Sequence, residues 1–422
     1  MSRVTIAVGA QGGDEGKGKI IDYLSNSYDL IVRFQGGDNA GHTVLNDKGL
    51  FHMRLIPSGV FCNAICLIGT GTVINPDTFI DEINYLQSQG INTNNILVSS
   101  KAHIVFPHHI QIDKEHERRY GIIDTTKRGI GPAYADRALR DNLRIEDLYD
   151  IHAIKRYVSN TIPRINSILD FYNSPHISES TFYRDIEQWK EIFKGRIVEP
   201  VSFIHNYLYQ KKSILFEGQL GLQRDIDLGQ YPYVTASYPT AAYACVSAGI
   251  PISSVTDVLG IARAYPILAG NGPFPTEMTD DIANLLRGTG ENIDDEFGIN
   301  TKRPRRIGWP DIPLLQYTNQ INGYTELAMC KLDKFDTFEK IKVCTAYMLN
   351  GHHLNYYPST AEMWDVVPQY KLIDGWNCST RNIRKISDLP YNARIFLEII
   401  ENAINVPIKY VGVGPHREEI AI

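Results

Sequence analysis

Two carboxylates stand inside a glycine-rich turn near the start of this 422-residue chain, Val8-Gly9-Ala10-Gln11-Gly12-Gly13-Asp14-Glu15-Gly16-Lys17-Gly18-Lys19. Glycine amides ahead of a helix face an anion, and Lys17 adds a point charge, so the turn reads as a phosphate cradle. An acid there needs a reason: two like charges about 4 Å apart repel by roughly 4 kcal/mol at an effective dielectric near 20. A metal ion between acid and phosphate, or a proton-transfer task, supplies one. The turn also departs from the common GxxxxGK[ST] loop, because Gly9 and Gly16 enclose six residues and Lys17 is followed by Gly18. In the common loop the missing hydroxyl ligates Mg²⁺, and Asp14 is the nearest replacement.

Other segments carry chemistry of the same kind. Gln35-Gly36-Gly37-Asp38-Asn39-Ala40-Gly41-His42-Thr43 brings an imidazole, and a carboxylate with an imidazole over one substrate makes a general base and general acid. A structural role for His42 is equally compatible with its spacing. Lys331-Leu332-Asp333 is similar to the NKxD reader of guanine, whose Asp accepts from N1–H and the 2-amino group; a surface ion pair explains so short a motif as well. Asn300-Thr301-Lys302-Arg303-Pro304-Arg305-Arg306 gathers four cations in an acidic protein, an anion clamp or a solvated run. Thr125-Thr126-Lys127-Arg128-Gly129-Ile130-Gly131-Pro132 is a second candidate phosphate cradle.

The elements that must position these loops are those of an α/β protein. Val4 to Ala10 reads as a strand running through the glycine turn into a helix from Lys17 to Leu24. Strands follow at Leu30–Phe34, Cys66–Val73 and Ile96–Ser99, with a helix over Pro76–Gln89. This alternation predicts a large, mostly parallel central sheet covered by helices. From about 146 to 194 apolar residues recur at helical spacing (Tyr157, Ile162, Ile165, Ile168, Leu169), predicting a helical insertion in a single domain spanning 1–422. Strand signals return at Ser213–Phe216, Val255–Ile261, Leu327–Leu332 and Ile341–Met348, mostly ending in the polar turns where an open sheet binds ligands. Ala393, Phe396, Leu397, Ile400 and Ile404 form the buried stripe of a last helix, ahead of a strand at Ile408–Gly412.

Composition narrows the class. With 43% hydrophobic residues and a net charge of -6, the chain can bury a sizeable core, and any anion site must be built locally. Nucleic acid and membrane are therefore not expected partners. The N-terminus runs straight into a strand, without a signal peptide's pattern, and no apolar run approaches about 18 residues, so a cytoplasmic protein is expected. The six cysteines form no CxxC pair, which argues against a disulfide framework or zinc site. The pairs His108-His109 and His352-His353 are read as structural, because sequence neighbours point apart and neither pair has a carboxylate or Cys at ligand spacing.

Taken together and in order, GDEGKGK, QGGDNAGHT, TTKRGIGPAY, DIDLGQYPYVT, GPFPTE, TKRPRRIGW, KLD and GVGP resemble the adenylosuccinate synthetase family from Val4 to Arg417. The resemblance implies a GTP-dependent ligase that joins L-aspartate to IMP through a 6-phosphoryl-IMP intermediate, with Mg²⁺, giving adenylosuccinate, GDP and phosphate. It implies Asp14 as the base at purine N1 and His42 as the group that stabilises the transferring phosphoryl. Mg²⁺ would be held by Asp14 and the Gly41 carbonyl. GTP would meet Gly13, Glu15, Gly16, Lys17, Gly18, Gly41, Thr43, Arg305, Lys331, Leu332, Asp333, Gly412, Val413 and Gly414. Asn39, Thr126, Arg140, Gln219, Leu220, Thr235 and Arg303 would hold IMP, Arg140 reaching the other subunit of a homodimer. Asn300, Thr301, Lys302, Arg303 and Arg305 would bind aspartate. Glu15 receives no catalytic role.

Several departures from the family's bacterial pattern fall near the acceptor nucleotide. Leu220 stands where that pattern has an amide, with Gln219 one place earlier; Asp124 replaces a glycine, Ala269 a valine, Leu268 an arginine, Asp38 a histidine and Asn300 a threonine. Leucine cannot donate a hydrogen bond, and a lost oxyanion donor typically costs about 3 to 4 kcal/mol. Either Gln219 compensates, or the acceptor is another purine nucleotide such as GMP or dGMP, whose 2-amino group Asp124 could meet. A non-catalytic nucleotide-binding protein is the reading from a different class.

Overall fold

The computed structural model describes residues 2–279, 281–292, 294–298 and 304–422. Among them the central sheet is built from β1 (Val4–Gly9), β2 (Leu30–Gly36), β3 (Ile65–Ile74), β4 (Ile96–Ser99), β5 (Ile197–Val198), β6 (Ile214–Gly221), β7 (Asp257–Arg263), β8 (Glu326–Cys330), β9 (Ile408–Gly412) and β10 (Ile420–Ala421). Across the sheet they run β10-β9-β8-β7-β1-β6-β2-β3-β4-β5, with His103–Ile104 beside the end of β3. Every pairing is parallel except β9 with β10. This is the mostly parallel sheet that the alternating pattern predicts.

Period-two geometry sends neighbouring side chains to opposite faces, and each face has a core. Ile6 and Val8 of β1 point into one, with Val32, Phe34 and Phe216. Ala7 points into the other, with Ile31, Cys66 and Ile68. Because both faces are covered, β1 and β2 are buried at every position, as expected of parallel strands. Helix α1 (Lys17–Ser25) follows β1 and packs Ile20, Ile21 and Leu24 into the second core. Helix α2 (Pro76–Ser88) follows β3; Asn75 caps it by accepting from the N–H groups of Asp77 and Thr78, with Pro76 in its first turn.

Between β4 and β5 the chain is helical, including Ile151–Arg156, a π-helical stretch at Tyr157–Thr161, Ile162–Phe171 and Glu179–Phe193. Tyr157, Phe182, Ile186 and Trp189 fasten these helices to the second core. No helix among the described residues is long and apolar enough to cross a membrane.

Three features depart from the expectations. The segment after β2 continues into a hairpin, His42–Asn46 with Gly49–Met53, which the glycine-rich sequence conceals. The strand expected at Ile341–Met348 forms, as Lys340–Leu349, but in a separate antiparallel sheet with His352–His353 and Val367–Asp374. Its start alternates exposed and buried positions, the signature of a strand covered on one face. The third correction concerns His108 and His109, at the start of α3 (Pro107–Tyr120). Their rings lie 4.3 Å apart, and Asp136 of α4 (Ile130–Leu139) completes a group whose ligand atoms lie within 4.8 Å of one another. Tertiary folding thus supplies the carboxylate that sequence spacing lacks. The group is closed on itself, however. His109 Nδ1 accepts from the Phe106 N–H and Nε2 meets Asp136, while Arg164 takes the other Asp136 oxygen at 2.7 Å and Tyr157 meets His108. Burial lowers the pKa of both imidazoles, so this is a neutral hydrogen-bonded network braced by an arginine.

Candidate active site

The C-terminal ends of β1, β2, β6, β7, β8 and β9 deliver their loops to one side of the sheet, where an open α/β fold binds ligands. The chain leaves β1 through a turn in which Gly13, Asp14 and Gly16 adopt φ of 107°, 57° and 87°. A left-handed conformation is easy for glycine and unusual for Asp14, so the carboxylate is set by a backbone that most residues disfavour. Gly16 then caps α1.

The two acids of the turn have different fates. Glu15 is fully buried: its carboxylate accepts from the Gln11 N–H at 3.2 Å and the Gly13 N–H at 2.7 Å, and also takes the Lys17 ammonium. It braces the turn from beneath and holds the lysine in place. Asp14 is 28% exposed and lines the pocket, its Oδ2 paired to Arg305 at 2.7 Å. The acid with room to act is Asp14.

His42 lines the same pocket, and its ring is oriented from behind. Its Nδ1 lies 2.8 Å from Glu217 and 2.9 Å from the Ser58 hydroxyl, while Ser58 gives both its N–H and O–H to Glu217. Burial would raise the pKa of Glu217, but these donors hold it below the usual carboxylate range. Burial lowers that of His42. Nδ1–H therefore donates to an ionised carboxylate, leaving Nε2 as the ring nitrogen for the pocket.

A third cluster centres on Glu296, fully buried and lining the pocket. It accepts from Arg263 at 2.6 Å, the Tyr265 hydroxyl at 2.7 Å and Arg305 at 3.1 Å, with the Lys331 ammonium at 3.9 Å. Burial alone would raise its pKa, but the surrounding cations hold it low. Arg305 thus bridges Glu296 and Asp14. Lys331, with φ of 63°, also donates to the Asp294 carbonyl and lines the pocket with Gly414. One Asp333 oxygen is buried without a hydrogen-bond partner among the described residues, and burial raises the pKa of this acid. Lys19 steadies the Gly414 turn by donating to the carbonyls of Gly414 and Glu419.

Gly16, Lys17, Gly18, Gly41, Thr43 and Leu220 also line the pocket. Leu332, Gly412 and Val413 are buried and do not line the pocket. Thr126 and Arg140 are exposed, and Thr235 is half-buried with its N–H on the Arg224 carbonyl at 2.8 Å. Gln219 is buried away from the pocket, its amide engaged by Gly37 and Asn39. Asn300, Thr301, Lys302 and Arg303 lie outside the described residues.

Sequence reasoning assigned no role to Glu217, Ser58, Glu296, Arg263 or Arg224. Arg224 stands buried with its guanidinium on the carbonyls of Tyr233, at 2.6 Å, and Ala269. Burial lowers its pKa to about 10, beside Arg306 and in the field of Asp14. Only the acid in FEGQLG had a visible signal, as the one ionisable residue of its buried strand.

Known proteins resemble this chain along its length. The family model described as adenylosuccinate synthetase matches residues 6–421. Adenylosuccinate synthetase 1 of Methanosarcina acetivorans is 48% identical over 99% of both chains. The fully ligated adenylosuccinate synthetase of Plasmodium falciparum superposes with a TM-score of 0.92 at 35% identity, covering 100% of both chains. The succinoaminodeoxyadenylate synthetase of cyanophage S-2L, solved with dGMP and dATP, reaches a TM-score of 0.62 at 20% identity over 100% of this chain and 95% of its own, which speaks for the fold alone.

Proposed function

This chain belongs to the adenylosuccinate synthetase family, and from that premise we propose how its residues divide the work. The protein is a GTP-dependent ligase that joins L-aspartate to IMP, giving adenylosuccinate, GDP and phosphate. The observation that supports the division is the convergence on one pocket of Asp14, His42, the Lys17 turn and Lys331.

Asp14 takes the N1 proton of IMP, which makes O6 nucleophilic toward the γ-phosphate. For this its carboxylate must leave Arg305, which then turns its fork to an incoming anion. His42, oriented by Glu217, presents Nε2 to the transferring phosphoryl group and to the departing phosphate when the aspartate amine displaces it. α1 and Lys17 receive the triphosphate, and Asp333 accepts from the guanine N–H groups. Asn39, Thr126 and Thr235 hold IMP, with Arg140 contributed across a homodimer, and the 300–305 loop takes aspartate.

Mg²⁺ fits this donor set, since Asp14 and Gly41 line one pocket and have a carboxylate and a carbonyl, hard oxygens of the kind this ion selects, that would hold it. When bound it neutralises charge developing on the phosphoryl oxygens. The substrates are water-soluble nucleotides and an amino acid, which favours a cytoplasmic setting.

Steady-state assays of IMP, GMP and dGMP, each with GTP or ATP and with products identified by mass, test the assignment. IMP with GTP is expected to turn over fastest. Turnover of GMP or dGMP without turnover of IMP would instead assign the apolar Leu220 wall to a guanylate acceptor.

A further inference from the structure

The amide absent from position 220 does not reappear in the pocket. Leu220 itself lines the wall beside Asp14 and His42, in a left-handed conformation with φ of 60°. Gln219, with no exposed surface, turns the other way, into the turn that follows β2.

What it does there follows from hydrogen-bond sense. The Gly37 N–H can only donate, so the Gln219 atom 2.9 Å from it must be the carbonyl oxygen Oε1. The other terminus is then the NH₂ group, which reaches the Asn39 side chain at 2.7 Å and requires an acceptor there. Asn39 must offer Oδ1, which leaves its own NH₂ facing away from Gln219. One backbone N–H thus sets the orientation of two amides in series.

The arrangement is held firmly. The Gln35 side chain donates to the main-chain carbonyl of Gln219 at 2.6 Å, which anchors the backbone that carries the amide, and accepts from the Ser237 hydroxyl at 2.8 Å. The Gly36 N–H donates to the Tyr134 hydroxyl at 3.0 Å, and Arg33 donates to the Gly37 carbonyl at 2.8 Å. Gly36, with φ of 83°, leaves the space the amide uses: a Cβ there would lie 1.6 Å from Gln219 Oε1.

We propose that Gln219 is a positioning residue whose amide fixes the sense of the Asn39 amide, so that Asn39 meets the acceptor nucleotide with N–H donors rather than with its carbonyl. The inference rests on the assignment of Asn39 to IMP. Its ligand is an acceptor oxygen of the purine nucleotide, recognised by an amide that a neighbouring amide holds in one orientation.

The test is a double-mutant cycle on the full-length enzyme, with KM for IMP, KM for GTP and kcat measured separately. In Gln219→Glu both terminal oxygens accept, so the Gly37 N–H stays satisfied while Asn39 must turn its NH₂ inward. KM for IMP is expected to rise about 10-fold or more, as loss of one hydrogen bond in a specific site implies, with KM for GTP within about twofold. Gln219→Met, which keeps the shape and removes the hydrogen bonds, should raise KM for IMP less than Gln219→Glu. It serves as the second variant if the carboxylate impairs folding. In an Asn39→Ala background, neither change at 219 should raise KM for IMP further. If both backgrounds show the same factor, or Gln219→Glu leaves KM for IMP unchanged, the inference is overturned while the IMP assignment stands. If Asn39→Ala alone leaves KM for IMP unchanged, that assignment fails, and the inference with it.

Discussion

On the side of the pocket proposed for the triphosphate, internal carboxylates back the ionisable side chains: Glu15 meets Lys17, Glu217 meets the His42 ring, and Glu296 meets Arg263 and Arg305. The acceptor side is built otherwise. On the side proposed for the acceptor, Leu220 brings an apolar surface to the wall, and the Asn39 amide meets the neutral amide of Gln219. The difference is physical. A triphosphate brings several negative charges, so its site needs cations that stay ionised while buried, and buried cations need counter-charges. A purine is read through neutral donors and acceptors, which need orientation more than neutralisation. Asp14, the proposed base for the purine, is paired to Arg305, a cation of the first side.

Asp14→Asn gives the largest expected effect. It keeps the shape, removes the base and should lower kcat by roughly 10²–10⁴-fold, the range of general-base catalysis, while GTP still binds in a direct titration. Near-normal turnover would remove Asp14 from the junction of the two sides.

Glu296→Gln probes the counter-charges. Three cations would lose a shared buried anion, and breaking one such pair costs about 3–5 kcal/mol, so a fall of about 3 kcal/mol in unfolding free energy is expected in urea melts. An unchanged midpoint would mean that water, rather than Glu296, neutralises this side.

Much of this molecule is legible in its sequence. β1, β2 and β3 could be read because parallel strands buried on both faces are largely apolar runs, the first two ending at glycines and the third at the Asn75-Pro76 helix start. Asp14 and His42 could be read because each stands in a motif. Glu296 could not, since an acid near other acids looks like solvated surface, and only the fold brings Arg263, Tyr265 and Arg305 around it. Gln219 was visible but its direction was not: a strand's pleat and a left-handed residue at 220 decide which of two neighbouring side chains enters the pocket. The Lys340–Leu349 strand was legible as a strand, and its partners were not, because pairing is a property of the tertiary structure.

Asp333→Asn returns to the comparison from the base-reading end. A hydrogen bond to a charged group is worth about 1.5–3 kcal/mol, so KM for GTP should rise roughly 10- to 150-fold with KM for IMP little changed. Equal rises in both constants would show that the two sides of the pocket are not separable by substrate.

Leu220→Gln is the smallest expected change and the most direct probe of the acceptor side. The backbone at 220 is left-handed with either side chain, so strain is common to both and cancels. The substitution exchanges an apolar side chain, set so close to Gly13 that a Cβ added there would lie 3.2 Å from Leu220 Cδ2, for an amide at the wall that Asp14 and His42 share. One added neutral hydrogen bond is worth about 0.5–1.5 kcal/mol, a gain of roughly 2- to 12-fold in kcat/KM for IMP if the purine oxygen meets that wall. A gain confined to IMP would mean that the acceptor side accommodates a second amide besides Asn39. A loss would mean that Asn39, as Gln219 sets it, already satisfies that oxygen, so that a second amide is left desolvated without a partner.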